Sequence, residues 1–350
     1  MDTLVIGYGK IGCIKSSIWK SLGRNVYVQE TDPRKVEAAV QDGFRTYAPA
    51  SQLSNQLIVD ISTPAAQHLA SLIWVIENVT PHPKTILLEK PLVSSQAELR
   101  ALTSYLEKNT TTIKNIQLVV NESYYLSSAT LFVIDDMRRR AANASALRME
   151  LSKNRLPDVI AGRFIDENLG SLGIELPHML ALSQSFGLEL NKLVVDSVSV
   201  LKRCGEFQNE GFKIHACQDG LAVHMESYLG DFKIDSAGKA IPNDTIVRTL
   251  QVETDKCKYV IEFDPVPGLD RFAARIRIYD MGETLINETV VGDDHLTSHL
   301  LKLHESKAHK QLDQLLSIDN SLEIAKYLFD LKAKARYVNL DHSLRSRAVK

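Results

Sequence analysis

The feature that most constrains this chain lies at its start. A short β-rich apolar run, residues 3–6, is cut by Gly7-Tyr8-Gly9-Lys10-Ile11-Gly12, and a helical pattern follows at once. In a strand–turn–helix context the first glycine permits a tight turn. The second lets the backbone approach a pyrophosphate, and the third lets helix and strand pack closely. Ile14, Ile18, Trp19 and Leu22 are spaced for one helical face, with Gly23 as a stop. Strand and helix signals then alternate. Strands are expected over 25–29, 57–61, 85–88 and 116–120, and helices over 34–42, 65–78 and 95–108. That alternation predicts a parallel, doubly wound Rossmann sheet over residues 1–120.

Beyond residue 120 the pattern changes. After a helix near 129–141, strand-like runs dominate at 147–151, 192–201, 221–228, 245–253, 258–263 and 275–279, many alternating apolar and polar residues. Such alternation suits a sheet with one buried face. A helix over 177–186 interrupts the strands and ends at Gly187. Helices near 294–315 and 321–336 close the chain. The expected fold is therefore α/β: the Rossmann domain, then an α+β domain over 121–350 with a large, mostly antiparallel open sheet. The closing helices are candidates to pack back on the first domain.

Composition excludes several classes. Hydrophobic residues make up 44% and charged residues 24%, as in ordinary globular proteins. A net charge of −2 gives no electrostatic case for nucleic acid or an anionic membrane. No apolar run approaches the roughly 20 residues that span a bilayer. The apolar start lacks the pattern of a secretory signal. Cys13, Cys204, Cys217 and Cys257 are scattered and form no C-x-x-C pair, which reads as reduced thiols in a cytoplasmic protein.

Glu30 ends the second expected strand, 18 residues after Gly12. A carboxylate there can accept hydrogen bonds from the adenosine ribose hydroxyls and would repel a 2′-phosphate. This favours NAD, although Arg34 stands nearby as a group able to hold that phosphate, so NADP stays open. Asp32, before Pro33, suits a helix cap.

With Thr63-Pro64 after the third strand and Glu89-Lys90-Pro91 after the fourth, the first half resembles the Gfo/Idh/MocA family of NAD(P)-dependent sugar and cyclitol dehydrogenases. The resemblance covers the first 120 residues closely and the remainder more loosely. It implies that Lys90 is the catalytic lysine, often preceding a cis proline bond. It also implies that Thr63 and Pro64 line the nicotinamide side, and that Glu89, His68 and Asn121 help form the cofactor pocket around Gly7, Gly9, Lys10, Ile11 and Gly12. An ammonium beside the reacting oxygen stabilises developing negative charge, and a lysine of lowered pKa can take the hydroxyl proton.

The family contributes an Asp and a His four residues apart from its second domain. Here Gly173-Ile174-Glu175-Leu176-Pro177-His178 supplies the histidine, His178, but Ile174 stands where the aspartate belongs. Glu175 is the candidate replacement. Relatives bring the stretch around Lys153-Asn154-Arg155 and Arg163 toward the substrate, and Tyr124 is a further substrate-side candidate. His295, His299 and His304 raise a metal reading, but their helix reads as polar and solvated, without an H-E-x-x-H pattern, so no metal is expected. The resemblance implies hydride transfer between a secondary alcohol of a sugar, amino sugar or cyclitol and nicotinamide. A 3-position dehydrogenase of amino-sugar or antibiotic biosynthesis is the narrower expectation, in a homo-oligomer built through the open sheet. The competing readings are a non-catalytic dinucleotide-binding regulator and an imine or tetrapyrrole reductase.

Overall fold

The computed structural model describes residues 1–48, 52–161, 165–166, 168–202, 210–235, 240–305 and 314–339. Arg163 and Cys204 lie outside the described residues, as do residues 306–313, which fall in the stretch 294–315 expected from the sequence to be a helix. The chain forms two compact units. One comprises Met1–Glu122 with Leu296–Lys326, the other Ser123–His295 with the residues from Tyr327 on.

In the first unit the elements run β1 Asp2–Ile6, α1 Lys10–Ser21, β2 Asn25–Gln29, α2 Pro33–Gln41, β3 Arg45–Thr46, β4 Ile58–Ile61, α3 His68–Asn78, β5 Thr85–Leu88, α4 Gln96–Lys108, α5 Thr110–Ile113 and β6 Gln117–Val120. The six strands pair in the order β3-β2-β1-β4-β5-β6, every pairing parallel. The two-residue strand β3 and the four-residue helix α5, each too short to show a pattern, are the elements of this series that the sequence does not reveal. The order reverses between β1 and β4. Ligands of doubly wound sheets bind outside the carboxyl ends of the strands at such a switch point. Asp32 caps α2 by accepting from Arg34 N at 3.0 Å. Ser95 caps α4, accepting from Glu98 N, while the Glu98 carboxylate accepts from Ser94 N. Such reciprocal bonds satisfy donors that a helix start leaves open.

The buried face of α1 differs from the expected one. Gly12, Lys15, Ser16 and Trp19 are buried, whereas Ile14 is 43% exposed. The cause is the approach of α1 to β1. A Cβ on Gly12 would sit 2.0 Å from the Gly7 carbonyl oxygen, so the helix rests on the strand end at Gly12. That contact fixes its rotation, and the residues three, four and seven positions later follow onto the same face.

The second unit contains α6 Ser128–Arg140, β7 Ala144–Ser152, α7 Leu156–Ile160, α8 Ser171–Ile174, α9 Leu176–Gln184, β8 Val194–Lys202, β9 Gly211–Gln218, β10 Leu221–Tyr228, the hairpin β11 Phe232–Ile234 and β12 Ala240–Pro242, then β13 Val247–Thr254, β14 Lys258–Glu262, β15 Ala273–Tyr279 and β16 Leu285–Gly292. The helices α10 His295–Glu305 and α11 Ile318–Lys334 follow, and β17 Arg336–Asn339 comes last. Nine strands form one sheet, ordered β16-β15-β14-β13-β7-β10-β9-β8-β17. The pairings β7–β10 and β8–β17 are parallel and the rest antiparallel. The expected α/β class, with a parallel sheet followed by a large, mostly antiparallel one, is what the chain forms. Alternate residues such as Leu147, Met149, Leu151, Val223, Met225, Leu250, Val252, Tyr259, Ile261, Ile276 and Ile278 fill the buried face. Three strands of this sheet are additions to the sequence reading: β9, β16 and β17. Most of β16 is exposed, so it lacks the alternation that would reveal it, and β17 occupies the place where a helix end was expected.

Gly12→Ala is expected to lower stability by roughly 1–3 kcal/mol or more through the clash with Gly7 O. A Cβ on Gly9 meets nothing within 4 Å, so Gly9→Ala should unfold close to the parent temperature. Thermal unfolding of both variants checks the contrast.

Candidate functional site

The glycine loop has a geometry that could hold a phosphate. Gly7 has φ +92°, a conformation that side chains rarely adopt, and its Cα faces Ser62 O and Thr63 Cγ2. Gly9 is the N-cap of α1 and makes no side-chain cap, so the first-turn N–H groups of Lys10, Ile11 and Gly12 are not given to a capping side chain. The open space over Gly9 is a cradle that a Cβ would begin to fill. Tyr8 turns away from it, edge-on to Phe44, and donates to Asp42 Oδ2 at 2.6 Å.

Glu30 closes the loop from the end of β2. Its Oε2 accepts from Tyr8 N at 2.7 Å, and Oε1 accepts from Thr31 N at 2.7 Å and Asp32 N at 3.0 Å. Burial pushes its carboxyl up, but the N–H groups of Asp32, Tyr8 and Thr31 outweigh that and hold it below the usual carboxylate range. A fixed negative charge therefore stands beside the loop. Arg34 is almost fully exposed and lies 3.5 Å from Asp32 Oδ1.

Beneath the loop lies a buried ionic network that the sequence reading missed. Lys15, 0% exposed, reaches Asp60 Oδ1 at 2.6 Å and Glu89 Oε1 at 2.7 Å. Trp19 Nε1 donates to Asp60 Oδ2 at 2.7 Å, and Ser62 Oγ donates to Asp60 Oδ1 at 3.0 Å. Asn121 Nδ2 donates to Glu89 Oε1 at 2.7 Å. Burial pulls the Lys15 pKa down, but Asp60 and Glu89 overcome it and raise it. Burial likewise pushes Glu89 up, and Lys15 reverses this to keep it ionised. The periodic position of Lys15, four before Trp19, was the available signal. Read on its own, a lysine there suggests a solvated stem.

Lys90 follows at the end of β5, with a cis bond to Pro91. Because β1, β4 and β5 are neighbours, the Lys90 backbone stands two strand spacings, about 10 Å, from the glycine loop. His68 is buried between two backbone carbonyls, Thr63 O at 2.9 Å and Leu92 O at 3.0 Å. Burial lowers its pKa, against the pull of those carbonyls. With both ring nitrogens facing the protein backbone, His68 ties the Thr63-Pro64 turn to the segment after Lys90-Pro91. Asn121 Oδ1, by contrast, is buried with no hydrogen-bond partner among the described residues. An orphan acceptor, an uncapped helix start and an open glycine could hold a dinucleotide with a carboxamide end. Glu122, which follows Asn121, is also buried. Desolvation pushes it up to about 8, and the Glu89 charge adds to this against the pull of Lys90.

The second unit gathers a different set. Arg155 is buried, with Nη2 3.1 Å from Glu175 Oε1 and Nη1 3.2 Å from Asp158 Oδ2. Lys153 pairs with the same Asp158 at 2.8 Å. The surrounding cations hold Asp158 down at about 2, against a burial effect that raises it. Asn154 Oδ1 accepts from Leu156 N, opening α7. The Lys-Asn-Arg stretch is thus an ion-paired corner. Glu175, the residue before α9, holds Arg155, and His178 lies in the first turn of that helix. Tyr124 brings His178 and His295 together. Its ring is edge-on to His178 at 5.0 Å and stacked on His295 at 4.4 Å.

The histidines of α10 correct the expected solvated helix face. His299 is 0% exposed and His295 stacks on Tyr124, because the helix turns its Leu300 and Leu303 side inward and carries His299 with it.

No protein-family model matches the chain, and no curated protein matches it in sequence. Solved structures do match it over nearly its full length. The chain is similar to KijD10, a 3-ketoreductase from Actinomadura kijaniata in complex with NADP and TDP-benzene. The TM-score is 0.70 at 11% identity, over 97% of this chain and 99% of that one. It is also similar to the UDP-N-acetylglucosamine 3-dehydrogenase GnnA from Acidithiobacillus ferrooxidans, with TM-score 0.66 at 12% identity, over 96% and 97% of the two chains. At these identities the shared property is the fold.

Removing Lys15 would leave two buried carboxylates facing each other. Lys15→Met is expected to cost about 3–5 kcal/mol in urea denaturation, with part of the loss recovered in Lys15→Met/Asp60→Asn. Glu122 gives a pH signature. Its pKa rises from 4.5 to about 8 on folding, so across that window the folded chain keeps a proton that the unfolded chain releases. Stability contributed by this proton is full below that window and falls as pH rises through it. Glu122→Gln should flatten that fall in a stability–pH profile.

Proposed function

We propose that this chain is an NAD(P)-dependent oxidoreductase that moves a hydride between a secondary alcohol of a sugar, amino sugar or cyclitol and nicotinamide. The observation that carries the reading is the placement of Glu89-Lys90-Pro91 at the carboxyl end of β5, two strands from the Gly7–Gly12 cradle at the sheet's switch point. The likeness in fold to a 3-ketoreductase and a 3-dehydrogenase supports it, as does the resemblance of the motifs to the Gfo/Idh/MocA family.

In this reading the nicotinamide, when bound, supplies the hydride acceptor. Gly7, Gly9 and the start of α1 hold the pyrophosphate, Glu30 the adenosine ribose, and Thr63, Pro64 and Asn121 the nicotinamide end. Lys90 carries the acid–base chemistry of the substrate hydroxyl: its amine takes the proton during oxidation, or its ammonium returns it during reduction. Glu89, held by Lys15 and Asn121, positions Lys90. The motif resemblance makes His178 and Glu175 further candidates for contact with the substrate. NAD is the favoured cofactor because Glu30 keeps a fixed charge where a 2′-phosphate would stand. The reading extends to a 3-position sugar dehydrogenase of a biosynthetic pathway, cytoplasmic and homo-oligomeric through the nine-stranded sheet. Among the described residues no helix is long and apolar enough to cross a membrane.

Lys90→Ala is expected to leave NAD affinity nearly intact and to cut turnover by at least about 10²-fold, followed as absorbance of the reduced nicotinamide over a panel of sugars, amino sugars and inositols. Near-normal turnover in that variant sinks the assignment. A KM for NAD below that for NADP, measured on the same substrate, is the expected cofactor preference.

A further inference from the structure

Glu122 is a buried titratable group of the first unit that the proposed chemistry leaves unused. The parallel sheet fixes where it stands. Leu88 at the end of β5 lies opposite Val120 at the end of β6, and Asn121 N donates to Leu88 O at 2.8 Å. The next residues along, Glu89 and Asn121, are joined through their side chains at 2.7 Å. Lys90 and Glu122 come one position later, on neighbouring strands whose spacing is about 4.8 Å. Glu122 N donates to Val120 O at 2.8 Å, a three-residue turn that ends β6 and keeps Glu122 beside the sheet.

The charges below this place are fixed. Lys15 brings one positive charge, and Asp60 and Glu89 bring one negative charge each, so the buried network carries a net charge of −1. A carboxyl set near an ionised carboxylate and away from water resists giving up its own proton. Two charges of this unit act on Glu122 besides its burial. Burial is the largest cause and raises it, Lys90 pulls the other way, and Glu89 adds to burial, which leaves the carboxyl at about 8.

The pull between Lys90 and Glu122 is mutual. If the ammonium favours the carboxylate, the carboxylate favours the ammonium by the same amount. While Glu122 is a neutral acid, Lys90 receives no such support and surrenders its proton more readily. Once Glu122 ionises, the ammonium is held in place. Lys90 needs the amine form to take a hydroxyl proton and the ammonium form to return one.

We infer that Glu122 is a positioning residue acting through Lys90: the two form one coupled proton pair across the ends of β5 and β6, and the Glu122 carboxyl decides how firmly Lys90 holds its proton. The inference deepens the proposed dehydrogenase site and takes its catalytic meaning from that reading. The coupling itself needs only groups of the first unit.

Proton titration tests it without turnover. The lysines of the full chain are methylated reductively with carbon-13 formaldehyde, and their NMR signals are followed over about pH 6–11. The Lys90 signal is the one lost in Lys90→Arg. In Glu122→Gln the proton affinity of Lys90 is expected to fall about tenfold or more, because the carboxylate that supports the ammonium is gone. An unchanged Lys90 titration in that variant overturns the inference. The reciprocal variant, Lys90→Met, guards against a Glu122→Gln chain that does not fold. Without the ammonium, Glu122 should keep its proton to higher pH, so the fall in stability through its titration moves upward in a stability–pH profile. A fall that stays where it is in the parent also overturns the inference. A merely structural Glu122 would change stability in these variants and move neither titration. Absence of nicotinamide turnover with every sugar would refute the dehydrogenase reading while leaving the coupling measurable.

Discussion

The ion pair of Lys15 with Asp60 and Glu89 is the interaction on which the first unit depends. It joins α1 to the ends of β4 and β5 in a place closed to water, where each charge would be untenable alone. It forms only if Gly12 lets α1 lie directly on β1, since the rotation that buries Lys15 is the one that brings Gly12 against Gly7 O. The close approach in the glycine loop and the ionised state of Glu89 are thus one geometric fact seen at two places. Trp19 and Ser62 use the remaining acceptors of Asp60, and Asn121 shares Glu89, so the network reaches four strand ends: β1, through the loop it seats, then β4, β5 and β6.

This arrangement gives the glycine cradle and the Lys90 segment a common foundation. Glu89 immediately precedes Lys90, and its carboxylate is anchored from below by two donors. His68 performs a comparable task one layer over, tying the turn at Thr63 to the backbone at Leu92. Packing and hydrogen bonds of this kind let a group keep its geometry with nothing bound to it.

Much of this was legible in the sequence, because the informative residues are constrained by backbone geometry. Gly7, Gly9 and Gly12 mark a turn that only glycine tolerates, Asp32 and Pro33 mark a helix start, and the alternating strands declare the parallel sheet. What escaped was tertiary. Lys15 looks like any helix-surface lysine until Asp60 and Glu89, 45 and 74 residues away, are brought to it. Arg155 reads as part of a basic loop until folding spends it on Glu175 and Asp158. The histidines of α10 read as solvated because pattern alone does not show what Tyr124 will stack against. Charges buried by long-range partners are invisible to periodicity, since the partner supplies the compensation that the local sequence lacks.

The chain passes between its two compact units three times, and the last portion of the first unit, Leu296–Lys326, arrives only after the whole of the nine-stranded sheet except β17 has been threaded. Ser317 from that portion bridges Val119 on β6. During synthesis the six-stranded parallel sheet therefore emerges well before the unit it belongs to is completed. Until that later segment is made, the edge at β6 waits for it. The nascent first unit is a partial structure whose missing piece is encoded some 170 residues downstream of its last strand, and its early life depends on how well that unfinished edge is kept from other strands.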